Sequence, residues 1–168
     1  MVRVRFAPSP TGPIHIGGVR TALYNYLYRL NKGGEFILRI EDTDGSRRVD
    51  GAEKYIYDVL DYYKIKVDEG PREGGEFGPY RQSERKEIYN KYINLLIEKG
   101  LAYYCYASKE ELLNAREDKG FSYNSKTRMM FKNSLSLNEE ENLSLVKKKK
   151  YVVRLKVEAD LELRMTDL

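Results

Sequence analysis

The sequence has no tryptophan, one cysteine and one histidine in 168 residues. A single cysteine, Cys105, excludes a disulfide framework and fits a reducing compartment. One Cys and one His leave a tetrahedral zinc site short of ligands, so no zinc is expected. No apolar run approaches the length of a membrane span. The opening MVRVRFAPSP carries no signal-peptide core. Together these absences read as a cytoplasmic protein with no membrane contact. Charge of one sign is also lacking: 30 Lys and Arg face 26 Asp and Glu, a formal +4. That balance leans towards a polyanionic partner without arguing for nucleic acid on its own.

Proline is scarce too, at five residues, yet three of them fall in FAPSPTGPIHIGG, Phe6 to Gly18. The same stretch holds three glycines and His15. Before it, Val2, Val4 and Phe6 alternate with Arg3 and Arg5, a strand pattern. After it, Val19, Ala22, Leu23, Tyr26, Leu27 and Leu30 recur at helical spacing until Asn31–Gly34. Glu35–Ile40 reads as a second strand, followed by the polar turn EDTDGS. Ala52, Tyr55, Ile56, Val59, Leu60 and Tyr63 give a second helix. Half of the residues of Asp68–Pro79 are Gly or Pro, so that segment is loop. A third helix starts near Ser83 and ends at Gly100. Strand–helix–strand–helix order predicts an α/β fold with a parallel sheet and a crossover.

The texture changes near residue 100. Ser108-Lys-Glu-Glu111 is a capping box, residues 116–150 read as polar and irregular, and Tyr151–Val157 alternates as a strand. Leu161, Leu163 and Met165 alternate again. The reading is two units, 1–100 and a smaller α+β module at 101–168. The chain stops at MTDL, straight after strand-like sequence, which reads as part of a longer protein.

A helix that opens just after a strand offers free N–H groups and a partial positive charge, and phosphate is its natural guest. Gly17 and Gly18 let a ligand approach the backbone. The prolines stiffen the loop, and His15 stands ready to donate to phosphate oxygens. Neither GxxxxGK[ST] nor GxGxxG is present.

PSPTGPIHIGG resembles the first signature of class I aminoacyl-tRNA synthetases, in the form carried by glutamyl-tRNA synthetases. LRIEDTD (Leu38–Asp44), GPYRQSERKEIY (Gly78–Tyr89), AYYCYASKEEL (Ala102–Leu112) and YVVRLKV (Tyr151–Val157) resemble further blocks of that family, in order, over essentially the whole chain. The resemblance implies the first half of a Rossmann-like nucleotide-binding fold with an inserted acceptor-stem-binding module. It implies ATP-dependent ligation of L-glutamate to tRNA(Glu) through glutamyl-adenylate. Mg²⁺ would arrive on the substrate phosphates, and the enzyme would act as a monomer.

By the same resemblance His15, Gly17 and Gly18 hold ATP, and His15 is the catalytic donor. Arg5 binds a glutamate carboxylate, Ala7 and Ser9 line the pocket, and Glu41 binds the α-ammonium group. Thr43 lies near the pocket. Asp42 and Asp44 read as a capping turn in preference to Mg²⁺ ligands. Asp44, Arg47 and Arg116 are assigned to tRNA, with Lys119, Lys126, Arg128 and Lys147–Lys150 as further positive charge.

Three departures stand out. Ala107 replaces a second family cysteine. Gly45 and Ser46 intervene before Arg47, where an arginine usually follows EDTD directly. The lysine-rich KMSKS loop is absent, so the 168 residues alone are expected to be inactive. Glutaminyl-tRNA synthetase usually shows PEPNGYLHIGH, which Ser9, Thr11 and Gly18 oppose. The remaining alternatives are the paralogue that glutamylates queuosine in a tRNA and a non-catalytic tRNA- or nucleotide-binding module.

Overall fold

In the computed structural model the N-terminal alternation forms β1 (Arg3–Phe6), and the helical run forms α1 (Ile16–Lys32). β2 (Glu35–Leu38) returns beside β1 in parallel, with Arg3 opposite Glu35 and Phe6 opposite Leu38. This is the expected strand–crossover–strand unit. The structure describes every residue except 48, 118, 119, 149, 160, 161, 163, 167 and 168. Contacts divide the chain into two units, Met1–Ile88 and Tyr89–Leu168. The texture change near residue 100 coincides with the end of α3 (Lys86–Glu98), whereas the contact division falls inside that helix.

In the first unit, α1 ends at Gly33, whose φ of +64° suits glycine. Gly34 follows where a Cβ would meet the Val2 carbonyl oxygen at 2.2 Å, so only glycine admits the close approach that starts the ladder. The ladder opens with Glu35 N–H donating to that carbonyl at 2.9 Å. α2 (Ala52–Tyr62) brings Ile56, Tyr57 and Leu60 onto the sheet. Phe36, Leu38 and Ile40 are fully buried there, each contributing about 2 kcal/mol of hydrophobic stabilisation. The stripe read on α1 is only partly covered. Val19 and Ala22 are buried, but Leu23, Leu27 and Leu30 remain exposed. Tyr26 meets Phe36 edge-on at 5.9 Å.

The outer edge of β2 is occupied by the segment around Glu69, which accepts from Leu38 N–H at 2.8 Å. The Asp68 carboxylate accepts from Phe36 N–H and pairs with Arg29, both at 2.8 Å. Glu69 is itself buried and receives both arms of Arg3, at 2.7 and 2.8 Å, and the Tyr80 hydroxyl. Arg3 also contacts Glu35 and lies 4.4 Å over the Phe77 ring. So the Gly- and Pro-rich segment that the sequence reads as loop is tied to the first strand by a buried carboxylate.

The expected third helix starts one turn late. Gln82–Arg85 is 3₁₀, and α3 continues from Lys86.

In the second unit β3 (Ala102–Cys105) pairs antiparallel with β4 (Val152–Leu155). α4 (Lys109–Glu117) opens on the expected capping box: Ser108 N–H donates to Glu111 at 2.6 Å, and Glu111 N–H to Ser108 Oγ at 3.1 Å. The region read as irregular is corrected by α5 (Glu139–Lys147). Its signal is Asn138, which accepts from Glu141 N–H at 2.9 Å, with three glutamates in the first turn against the helix dipole. Asn133, fully buried, ties the preceding turn through the Arg128 and Phe131 carbonyls. The alternation at Leu161 and Leu163 lies outside the described residues.

Arg3 holds the Glu69 carboxyl down at about 2, below its ordinary 4.5. A lowered folded value means the stabilisation is full above about pH 4.5 and is lost as pH falls towards 2. Glu69→Gln is expected to cost about 2 kcal/mol at neutral pH. The gap from wild type should shrink on acidification from pH 5 to about pH 2 in urea unfolding.

Candidate active site

Beyond Phe6 the chain keeps a two-residue rhythm into the proline loop. Prolines offer no N–H, so carbonyls make the attachment. Phe6, Pro8 and Pro10 accept in turn from the N–H groups of Arg39 at 2.9 Å, Glu41 at 3.0 Å and Val49 at 3.0 Å. The end of β2 and the turn after it are thereby laced to the loop.

The loop delivers His15 as the N-cap of α1, with an extended backbone. Its Nδ1 accepts from Gly17 N–H at 3.1 Å. A ring nitrogen that accepts carries no proton, so the neutral imidazole keeps its proton on Nε2, free to donate outward. Gly17 is required by this arrangement: a Cβ there would meet His15 Cε1 at 2.8 Å and Nδ1 at 2.9 Å. A Cβ on Gly18 would meet Ile14 Cγ2 at 2.8 Å. A cavity of about 260 Å³ opens at this point, and Ser9, Thr11, His15 and Gly18 are on its wall. Its wall carries the His15 ring and, among the described residues, no carboxylate; the Gly18 N–H beside it donates to the His15 carbonyl at 2.9 Å.

Arg5, Ala7, Gly17 and Glu41 are not on that wall. Arg5 and Arg3 share one face of β1, as alternation requires, but the structure distinguishes them. Arg3 is consumed by Glu35, Glu69 and Phe77. Arg5 is exposed and has no ion-pair or hydrogen-bonding partner among the described residues. Glu41 follows the end of β2, half-buried, with Arg39 Nη2 3.6 Å from its Oε1. Arg39 in turn donates to Gln82 Oε1. Sequence reasoning passed over Arg39 and Gln82. The available signal was spacing, since residues 39 and 41 must share a strand face.

The turn carboxylates are engaged in capping. Asp42 accepts from Ser83 N–H at 2.8 Å and from its hydroxyl at 2.6 Å. Asp44 accepts from the Ser46 hydroxyl at 2.6 Å and from Arg47 Nε at 2.6 Å, and Ser46 followed by Arg47 pulls its pKa down. Thr43 is exposed. Among the described residues no group of three or more His, Cys, Asp or Glu is placed to hold a metal ion.

In the second unit Arg116 lies exposed in the last turn of α4, and Lys126 is exposed before the 3₁₀ turn Thr127–Met130. Arg128 donates to the Val157 carbonyl at 3.0 Å. It shares a cavity of about 560 Å³ with Tyr103, Tyr123 and Arg154. Lys119 and Lys149 lie outside the described residues; Lys147, Lys148 and Lys150 are exposed at the end of α5 and beyond.

A helix capped by histidine and opened by glycines, crossing over between two parallel strands, defines an α/β domain. The family model for class I tRNA synthetases (E and Q), catalytic domain, matches residues 1–168. The chain belongs to that family. It is 53% identical to a glutamate–tRNA ligase of Parabacteroides distasonis over 99% of its length and 34% of that protein's. It is 54% identical to one of Porphyromonas gingivalis, again over 34% of that protein. The solved glutamate–tRNA synthetase of Elizabethkingia anophelis superposes with a TM-score of 0.92 at 49% identity, covering 99% of this chain and 35% of that one. A glutamate–tRNA ligase of Elizabethkingia meningosepticum, solved in complex with its amino acid, gives 0.89 at 50% identity, over 95% of this chain and 33% of that one. The chain thus spans about a third of the length of the relatives it matches.

Because His15 is the only histidine, one ring reports the cap. Nitrogen-15 NMR above pH 8 is expected to show the Nε2–H tautomer, and Gly17→Ala to shift or broaden that signal. The Nδ1–H tautomer in the unmodified chain would contradict the cap. In thermal melts Arg3→Met is expected to lower the midpoint by several degrees, whereas Arg5→Met leaves it within about a degree.

Proposed function

We propose that this chain is part of a glutamate–tRNA ligase, forming the first half of its Rossmann-like domain and its acceptor-binding module. The substrates of the whole protein are then ATP, L-glutamate and tRNA(Glu). The observation that carries the reading is His15, with Nδ1 spent on Gly17 N–H and Nε2–H left for a ligand beside the N-terminus of α1.

In the first step a glutamate α-carboxylate oxygen attacks the α-phosphorus of ATP. The bond to the bridging oxygen breaks, and pyrophosphate leaves. In the second, a hydroxyl of the terminal ribose of the tRNA attacks the activated carbonyl, and AMP leaves. Neither step needs a protein nucleophile, so the protein's work is positioning and charge stabilisation. His15 Nε2–H donates to phosphate oxygens as negative charge develops. Gly17 and Gly18 let the phosphates close on the helix N-terminus.

Arg5, with no carboxylate among the described residues to satisfy it, takes a carboxylate of the amino acid in its planar fork. Ala7 and Ser9 line that pocket, and Glu41 takes the α-ammonium group. Mg²⁺ comes with the nucleotide, held by phosphates and water, and zinc takes no part. Arg116, Lys126 and Arg128 supply phosphate contacts for the acceptor end, with Asp44 and Arg47 as a further contact near the first unit. The enzyme works as a monomer in the cytoplasm. Among the described residues no helix is long and apolar enough to cross a membrane.

The test is ATP–pyrophosphate exchange by the whole protein that carries this chain, with glutamate or glutamine, each with and without tRNA(Glu). Glutamate-dependent exchange is expected, and His15→Ala should lower it by about 10²–10³. Exchange driven by glutamine alone, or none with glutamate under any condition, would overturn the reading. The 168 residues on their own are expected to be inactive in this assay.

A further inference from the structure

Arg39 and Glu41 are two residues apart where β2 runs out, so the pleat puts them on one face. Glu41 is fixed at the backbone by the Pro8 carbonyl, 3.0 Å from its N–H. Among the described residues its side chain has one ion-pair partner, Arg39, whose Nη2 is 3.6 Å from Oε1. That is ion-pair range, beyond a hydrogen bond. Oε2 has no partner among the described residues. The same Nη2 donates to Gln82 Oε1, which anchors Arg39. Gln82 is anchored too: its N–H donates to the Ile40 carbonyl at 2.9 Å, and Ile40 N–H donates to the Tyr80 carbonyl at 2.9 Å. The Arg39 side chain is 16% exposed, that of Glu41 29%. One rim of the carboxylate therefore faces water while the other is backed by a guanidinium.

A guanidinium beside a cation-binding carboxylate would compete with the ligand if it took both oxygens in a fork. Here it stands off one oxygen only. The hydrogen bond to Gln82 goes to a neutral amide oxygen, so that contact does not neutralise the guanidinium. A half-exposed pair at this distance adds little to stability, but it restricts a side chain that would otherwise sample several rotamers.

We propose that Arg39, held by Gln82, is a positioning residue that fixes the Glu41 carboxylate with Oε2 open to the α-ammonium group of the amino acid. The inference rests on the assignment of Glu41 to that group. Its consequence is specific: Arg39 governs affinity for the amino acid and leaves nucleotide binding alone.

The experiment measures tRNA-supported ATP–pyrophosphate exchange by the whole protein. KM for glutamate, KM for ATP and kcat are determined for wild type, Arg39→Met, Arg39→Lys, Glu41→Gln and the Arg39→Met/Glu41→Gln double variant. Arg39→Met is expected to raise KM for glutamate about tenfold, with kcat and KM for ATP within about twofold. Arg39→Lys should recover part of the loss, because the charge remains without the planar reach. In the Glu41→Gln background Arg39→Met should add less than about twofold. If Arg39→Met yields no folded protein, Gln82→Leu takes its place; it removes the anchor and keeps both charges, and should raise KM for glutamate about threefold. Equal losses for ATP and glutamate, or full additivity with Glu41→Gln, would overturn the proposal. A Glu41→Gln enzyme with unchanged KM for glutamate overturns the assignment of Glu41 and this inference with it. A raised KM in Glu41→Gln beside a silent Arg39→Met overturns the role of Arg39 alone.

Discussion

The first unit depends on one run of parallel hydrogen bonds that does not stop where its strands stop. The Val2 carbonyl starts it, and those of Phe6, Pro8 and Pro10 carry it on to Val49 N–H. Two of those acceptors belong to prolines, which cannot donate and so disrupt central strands. Here that defect is harmless, because only their carbonyls are used. The loop is rigid twice over: each ring fixes φ, and each carbonyl is bonded to a neighbouring segment. A histidine placed by such a loop loses little freedom when it meets a ligand, which is what charge stabilisation by preorganised donors requires.

Around this ladder, charge is divided between structure and chemistry. Arg3 and Arg5 sit two residues apart on one strand face. The buried carboxylate of Glu69 captures Arg3 with two hydrogen bonds and ties the Gly/Pro-rich segment to the sheet. Removing one member of such a buried pair leaves an uncompensated charge, so Arg3 is committed to the fold. Nothing among the described residues competes for Arg5. The turn carboxylates divide in the same way. Asp42 and Asp44 close turns, and Glu41 keeps one oxygen open.

Local pattern made much of this legible. Period-two alternation marked β1 and β4, Glu35–Ile40 read as the strand that became β2, and helical spacing marked α1 and α2. The Ser108–Glu111 box formed as its residues dictate, since a cap depends only on neighbours in sequence. α5 escaped notice because its apolar face is weak and its true signal, Asn138 before three glutamates, is short. β3 was hidden inside a tyrosine-rich block, because a four-residue strand has too few residues to show a period. The partial exposure of Leu23, Leu27 and Leu30 was invisible for another reason. Periodicity says which residues share a face, not whether anything lies against it.

The sequence by itself determined the element order of the first unit, the stiffness of the proline loop, the glycines at its end and the identity of the residues that resemble the synthetase signature. All of these are properties of short stretches of chain. The tertiary structure alone decided which of two equivalent arginines is free, which nitrogen of His15 carries the proton, and that Arg39 stands between Gln82 and Glu41. Each depends on partners 30 to 70 residues away, brought close by the sheet, or on a hydrogen bond that exists only once α1 has formed. Sequence spacing carries no information about such distances. The hydrogen bonds that fix them are made only when the backbone has folded.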